Sequence, residues 1–89
     1  MAWTIEFSET ARKSLKAMDR TNSVRIMRFL LQRVATSDNP HLLGTTLQGQ
    51  RYRGIWRYRV GDYRILCEIK KEIVTVIVIE IGHRCEIYR

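Results

Sequence analysis

Cysteine is scarce in this sequence. Cys67 and Cys85 are the only two among 89 residues, and no Cys-x-x-Cys occurs. A disulfide framework is therefore excluded, and the thiols read as small buried hydrophobes in a reducing, cytoplasmic setting. Proline is rarer still: Pro40 stands alone, and the five glycines are scattered rather than clustered. The sequence holds no internal repeat and no low-complexity segment. Long apolar runs are missing too. The longest, "IVTVIVIEI", falls far short of the roughly 20 residues that span a bilayer. No strongly cationic amphipathic helix stands out as a membrane anchor. "MAWTIEFSET" has no basic segment leading into an apolar run, so no secretion signal is expected.

Acidic residues are the last shortage. Nine Asp and Glu stand against sixteen Lys and Arg, a net charge of +7, and twelve of the sixteen are Arg. No carboxylates cluster, and His41, His83, Cys67 and Cys85 lack the spacing of metal ligands, so neither metal nor cofactor is expected. "GTTLQGQR" has two glycines of a phosphate loop, Gly44 and Gly49. Gln50 and Arg51, however, occupy the positions that need Lys and Ser or Thr. The excess positive charge favours a polyanionic partner. Arginine in place of lysine favours forked contacts with phosphate or carboxylate and stacking on flat rings.

What is present suits one domain, residues 1–89, with an ordinary apolar share of 45%. "WTIEF" alternates apolar and polar residues, which predicts a strand from Ala2 to Phe7. Ser8 suits a helix N-cap with Glu9 in the first turn, and Ala11, Leu15 and Met18 recur at helical spacing. Asp19 or Thr21 can cap a second helix running to about Thr36. Its apolar stripe is Val24, Met27, Leu31 and Val34, widened by Ile26 and Leu30. The short "DRTN" connection predicts an antiparallel helical hairpin, and Asn39-Pro40 ends it. Leu42, Leu43 and Leu47 anchor a loop that reaches Gly54. "IWRYRV" and "YRILCEI" flank Gly61-Asp62, a glycine-first pair suited to a type II′ hairpin. "EIVTVIVIEI" reads as a long, covered, central strand, and "CEIY" as a last short one. The expected fold is α+β: an N-terminal strand and a two-helix antiparallel hairpin on one face of a small twisted antiparallel sheet.

In "RYRGIWRYRVGDYR" five arginines and four aromatics share fourteen positions with one acid, Asp62. Arg51, Arg53, Arg57, Arg59 and Arg64 are therefore candidate RNA-binding residues. With Gly61 and Asp62 as the turn, Val60 faces Tyr63, Arg59 faces Arg64, and Arg57 faces Leu66. Trp56, Tyr58, Val60, Tyr63, Ile65 and Cys67 then share the face that packs on the helices. Arg57, Arg59 and Arg64 share the other. Like charges directly opposite destabilise a hairpin by up to about 1 kcal/mol. A solvated arginine-rich strand is the plain alternative, but the opposed pair favours a preformed anion site.

The chain ends in "GHRCEIYR", which supplies a titratable imidazole in His83, another cation in Arg84 and a ring in Tyr88. Such groups fit metal-independent RNA cleavage. The ribose 2′-OH attacks the adjacent phosphorus, cations stabilise the added charge, and a proton reaches the departing 5′ oxygen.

"GIWRYRVGDYRILCEI", the long apolar strand after it and "IGHRCEIYR" together resemble the RelE branch of the RelE/ParE toxin superfamily. The "FSETARKSLKAMD" and "DNPHLLGTTLQG" segments extend that likeness over nearly the whole chain. The resemblance implies a ribosome-dependent endoribonuclease that cuts mRNA in the A site of the 70S ribosome. It also implies a cognate RelB-like antitoxin that wraps and inhibits the toxin in a hetero-oligomeric complex. Carried over by position, it implies that Arg57 and Arg59 bind and activate the scissile phosphate and 2′-OH, and that Arg64 stabilises transition-state charge. Arg84 would serve the leaving group, and Tyr88 would stack on or orient the nucleotide. Some relatives have lysines where Arg57 and Arg59 stand. Arginine does not release its proton near neutrality, which makes His83 the candidate titrating group, beside water or ribosomal RNA. Two rival readings remain: a ParE-like inhibitor of DNA gyrase and a non-catalytic RNA-binding module.

Overall fold

A computed structural model describes residues 2–47 and 49–83. The likeness of "CEIY" to a strand, and the roles expected of Arg84 and Tyr88, lie outside the described residues. The first strand, β1 (Thr4–Phe7), leads into α1 (Glu9–Ala17) through Ser8. The Ser8 hydroxyl accepts the Ala11 N–H at 3.0 Å, as an N-cap does. Asp19 caps α2 (Arg20–Phe29) in the same way, accepting the Asn22 N–H at 3.3 Å. Bonds from the Asn22 side chain and backbone hold its carboxyl below the usual carboxylate range.

Residues Leu30–Val34 continue α2 as a π-helical turn, with the Ala35 N–H bonded to the Leu30 carbonyl at 2.9 Å. The buried stripe is Ile26, Leu30 and Val34, spaced by four. Val24 and Leu31, expected on that stripe, are 41% and 51% exposed. At about 100° per residue they fall roughly 140–160° around the helix from Ile26. Both registers satisfy helical spacing; the one with the widest run of fully buried branched residues wins.

Pro40–Leu43 form a short 3-10 turn, and Thr45–Thr46 form β2. Then come β3 (Trp56–Val60), β4 (Tyr63–Lys70) and β5 (Thr75–His83). The sheet order is β1-β5-β4-β3-β2. Neighbours pair antiparallel except β1 with β5, so the sheet is mixed rather than wholly antiparallel. A helical pair and three strands separate β1 from β5, so no tight turn fixes their relative direction. The long strand β5 is interior, as its apolar pattern requires, although β4 is the middle one.

Both helices cover one face, α1 over β5 and α2 over β3. The core joins Ala11, Ile26, Leu30 and Val34 to Tyr58, Ile65, Cys67, Val76, Val78 and Ile81. Val78 and Ile81 are three apart, yet both are buried here. The cause is a bulge: Cys67 pairs with Val78 and Leu66 with Glu80, leaving Ile79 as an extra residue. Ser8 spans this irregularity, since its N–H bonds the Val78 carbonyl at 2.9 Å and its hydroxyl donates to the Ile79 carbonyl.

Candidate functional site

The β3–β4 hairpin forms in the expected register: Val60 pairs with Tyr63, Arg59 with Arg64, and Arg57 with Leu66. Gly61 has φ of +59°. Among the described residues Val74 is the sole non-glycine with positive φ, so Asp62 does not share that region, as type II′ requires.

Register puts Arg57, Arg59 and Arg64 on one face, but their surroundings differ. The Arg57 Nη2 donates to Thr45 Oγ1 at 3.0 Å, which ties it to the edge strand β2. Arg64 is only 7% exposed, and its Nη1 donates to the Gly61 and Tyr63 carbonyls at 3.3 and 3.2 Å. Of the five guanidinium N–H donors, those on Nε and Nη2 form the other edge of the fork. Arg59 is exposed. β2 pairs only with Trp56 and Arg57, so among the described residues no strand flanks Arg59 on the side away from β4.

A recess of about 280 Å³ opens at this edge between Phe29, Leu42, Leu43, Gly44, Thr45, Arg57 and Arg59. Gly44 makes it possible. A Cβ there would come within 2.7 Å of the Arg57 carbonyl and 3.0 Å of the Tyr58 ring. Beneath it Tyr58 is fully buried, donates to the Pro40 carbonyl at 2.8 Å and meets Phe29 edge-on at 5.6 Å. Burial pushes the Tyr58 phenol well above its ordinary pKa. Leu42, expected to anchor the loop, is instead 81% exposed on the rim, while Leu43 packs on the core.

Arg51 and Arg53 belong to the β2–β3 connection, in and just after the short 3-10 turn Gln50–Tyr52. They are exposed and adjoin the Trp56 end of β3, away from Arg59. The Arg51 guanidinium lies 5.8 Å from the Tyr52 ring centroid. His83 is separated from the arginines by the sheet itself. It pairs with Tyr63, the two rings meet at 5.8 Å and 83°, and it lines a recess with Ser14, Ala17 and Met18 of the α1 end. Tyr63 and Arg64 are consecutive, so their side chains take opposite faces. His83, the candidate titrating group, therefore lies on the helix side, across the sheet from the three guanidiniums.

Three further arginines escaped the sequence reading. Arg25, Arg28 and Arg33 border a second groove that Arg59 shares. Their signal was present in the polar side of α2, which carries arginine at nearly every turn. Among the described residues no three His, Cys, Asp or Glu side chains gather closely enough to hold a metal ion. Nor does any described helix have the length and apolarity to cross a membrane.

The model of a family described as "ParE toxin of type II toxin-antitoxin system, parDE" matches residues 5–88, and the chain belongs to this RelE/ParE superfamily as a RelE-family toxin. It is 30% identical over 89 residues to Toxin RelG of Mycobacterium tuberculosis, covering 100% of this chain and 99% of that one. The toxin–antitoxin complex RelBE2 of the same organism superposes with a TM-score of 0.84 at 26% identity, covering 97% of this chain and 95% of the other. A RelB–RelE complex of Methanococcus jannaschii superposes at 0.68 with 28% identity, over 93% and 94% of the two chains.

Proposed function

We propose that this toxin is a ribosome-dependent endoribonuclease that cuts mRNA in the A site and is held inactive by a RelB-like antitoxin. The observation that carries the reading is the shared face of Arg57, Arg59 and Arg64, with two of the three bordering one open recess. The messenger's scissile phosphate sits against Arg57 and Arg59. Their forks draw charge from its oxygens and hold the upstream 2′-OH in line with the phosphorus. The 2′ oxygen bonds to phosphorus as the bond to the 5′ oxygen breaks, leaving a 2′,3′-cyclic phosphate and a free 5′-OH. Preorganised cations favour the phosphorane because its charge exceeds that of the diester. Arg64, braced against the turn carbonyls, positions the hairpin and adds its charge behind the phosphate. No metal takes part. Arginine cannot accept the 2′ proton, and His83 lies across the sheet, so the acceptor is water or a group of the ribosome. Arg84 and Tyr88 serve the leaving group and the nucleotide stack.

The antitoxin is supported by the two solved relatives described above, both of them toxin–antitoxin complexes. The family model is named for ParE toxins, which keeps the second reading set out from the sequence, a ParE-like inhibitor of DNA gyrase, in play. The two separate in one experiment. The chain is expressed alone and with its neighbouring open reading frame, and mRNA ends are mapped while plasmid supercoiling is followed. The ribonuclease reading expects new 5′-OH ends inside translated codons within minutes, abolished by the neighbour. Growth arrest with intact messengers and altered supercoiling would overturn it.

A further inference from the structure

The groove between α2 and the hairpin turn is a separate feature with its own charge. It measures about 370 Å³ and carries Arg25, Arg28, Arg33 and Arg59 around Phe29. A second recess of about 550 Å³ continues it along α2 past Arg20, again with Arg25 and Arg28. No carboxylate among the described residues lines either recess. Asp19 is engaged in capping α2 through Asn22. Among the described residues no carboxylate lies within salt-bridge distance of these five arginines. Arg25 reaches the turn itself, since a Cβ on Gly61 would meet its Nη1 at 2.9 Å. Arg33 lies 6.0 Å from the Phe29 ring centroid.

From Arg20 to Arg33 the track is about 20 Å long at the helical rise per residue. A nucleic-acid strand in duplex carries a charge every 3.4 Å or so, so five or six phosphates would run along such a track. An acidic peptide would need a carboxylate at almost every turn to match it. All the cations are arginine, whose fork suits phosphate. Arg59 belongs to both this groove and the recess beside Arg57, so one RNA strand can pass from one to the other over the turn.

We propose that this groove is a second RNA-backbone site, taking the sugar–phosphate of RNA outside the cut position and setting affinity rather than the rate of bond breaking. The proposal rests on the reading of this toxin as a ribonuclease. Arg28 and Arg33 are exposed on the helix surface, so Arg28→Gln with Arg33→Gln should leave the fold intact, as checked by thermal melting. Two measurements are made on the full chain, beside its affinity for the co-encoded antitoxin. The first is affinity for a single-stranded RNA oligonucleotide across a salt titration. The second is single-turnover cleavage of messenger on saturating 70S ribosomes.

The expected result is RNA binding weakened tenfold or more. The slope of log affinity against log salt should become shallower by about 1.4, as two lost single-strand phosphate contacts require. The saturated cleavage rate should stay near that of the parent. Unchanged affinity and slope would overturn the proposal. So would unchanged RNA binding with lost affinity for the co-encoded antitoxin, which would assign the groove to an acidic protein segment. If the parent binds RNA in this arginine-dependent way but cuts no ribosome-bound messenger, the ribonuclease reading fails and the groove assignment stands.

Discussion

Arg59 stands exposed where β3 runs on beyond β2, and across the hairpin it faces the buried Arg64. Two guanidiniums paired this way carry a cost that an anion between them would remove. Because Arg59 is exposed, Arg59→Ala should leave the melting temperature nearly unchanged. Single-turnover cleavage on the ribosome should fall by about 10²–10³-fold, the usual loss when one charge-stabilising donor is removed. A variant that cuts at the parental rate would remove Arg59 from the chemistry. His83 makes the opposite case. Loss of a true general base costs about 10²–10⁴-fold, whereas His83→Gln should show no loss of that size and no change in the pH–rate profile. Cys67 shows what burial does to an ionisable group. Desolvation first, then the nearby charge of Glu68, pushes its thiol up to about 12. In a Cys85→Ser background the native thiol should therefore resist alkylation at pH 8 and react once the chain unfolds. The sign follows from the raised value. Below the ordinary pKa of 9.0 the thiol is neutral in both states, so stability is fully present there. It is lost as pH rises towards 12, because the unfolded thiol ionises first. Rapid alkylation of the native protein would show that the site is open.

At the scale of elements, the hairpin was the most legible part of the sequence. Gly61-Asp62 fixes the turn, and a period of two then assigns every side chain in β3 and β4 to a face. The same logic could not reach β5. Its bulge at Ile79 shifts the alternation by one, and a run apolar on both faces gives no sign of where that shift falls. The side His83 takes was hidden for this reason: without the bulge and the pairing to Tyr63, nothing in "IGHR" tells which side of the sheet the ring takes. The parallel pairing of β1 was hidden as well, because it depends on a contact between the two ends of the chain. In α2, two stripes competed at helical spacing, and packing alone chose Ile26, Leu30 and Val34. That choice turned the arginine-bearing side outward. Gly44 read as a loop glycine, yet its role is close approach to the Arg57 carbonyl. Gly44→Ala should destabilise the fold by about 1–3 kcal/mol, as overpacking against backbone does. It should also loosen the β2 edge that holds Arg57. Chemical denaturation measures the first effect, and amide exchange at Thr45 and Thr46 the second. A neutral substitution would show that the edge yields freely.

For the whole molecule, a net charge of +7 over 89 residues is a statement about partners. The helices cover one face of the sheet, and the hairpin presents its arginines on the other, with the α2 groove joining the two around the open edge of β3. A messenger inside a ribosome and an acidic inhibitor would both be drawn to such a surface. The fold leaves that choice open, and the chemistry of the bound strand decides it. The direct measurement is single-turnover cleavage of a ribosome-bound messenger carrying a 2′-deoxyribose immediately upstream of the cut. The account predicts that ribosome binding persists, the deoxy messenger stays whole, and the all-ribose control yields a 2′,3′-cyclic phosphate end. Cutting of the deoxy messenger at the control's rate would contradict it.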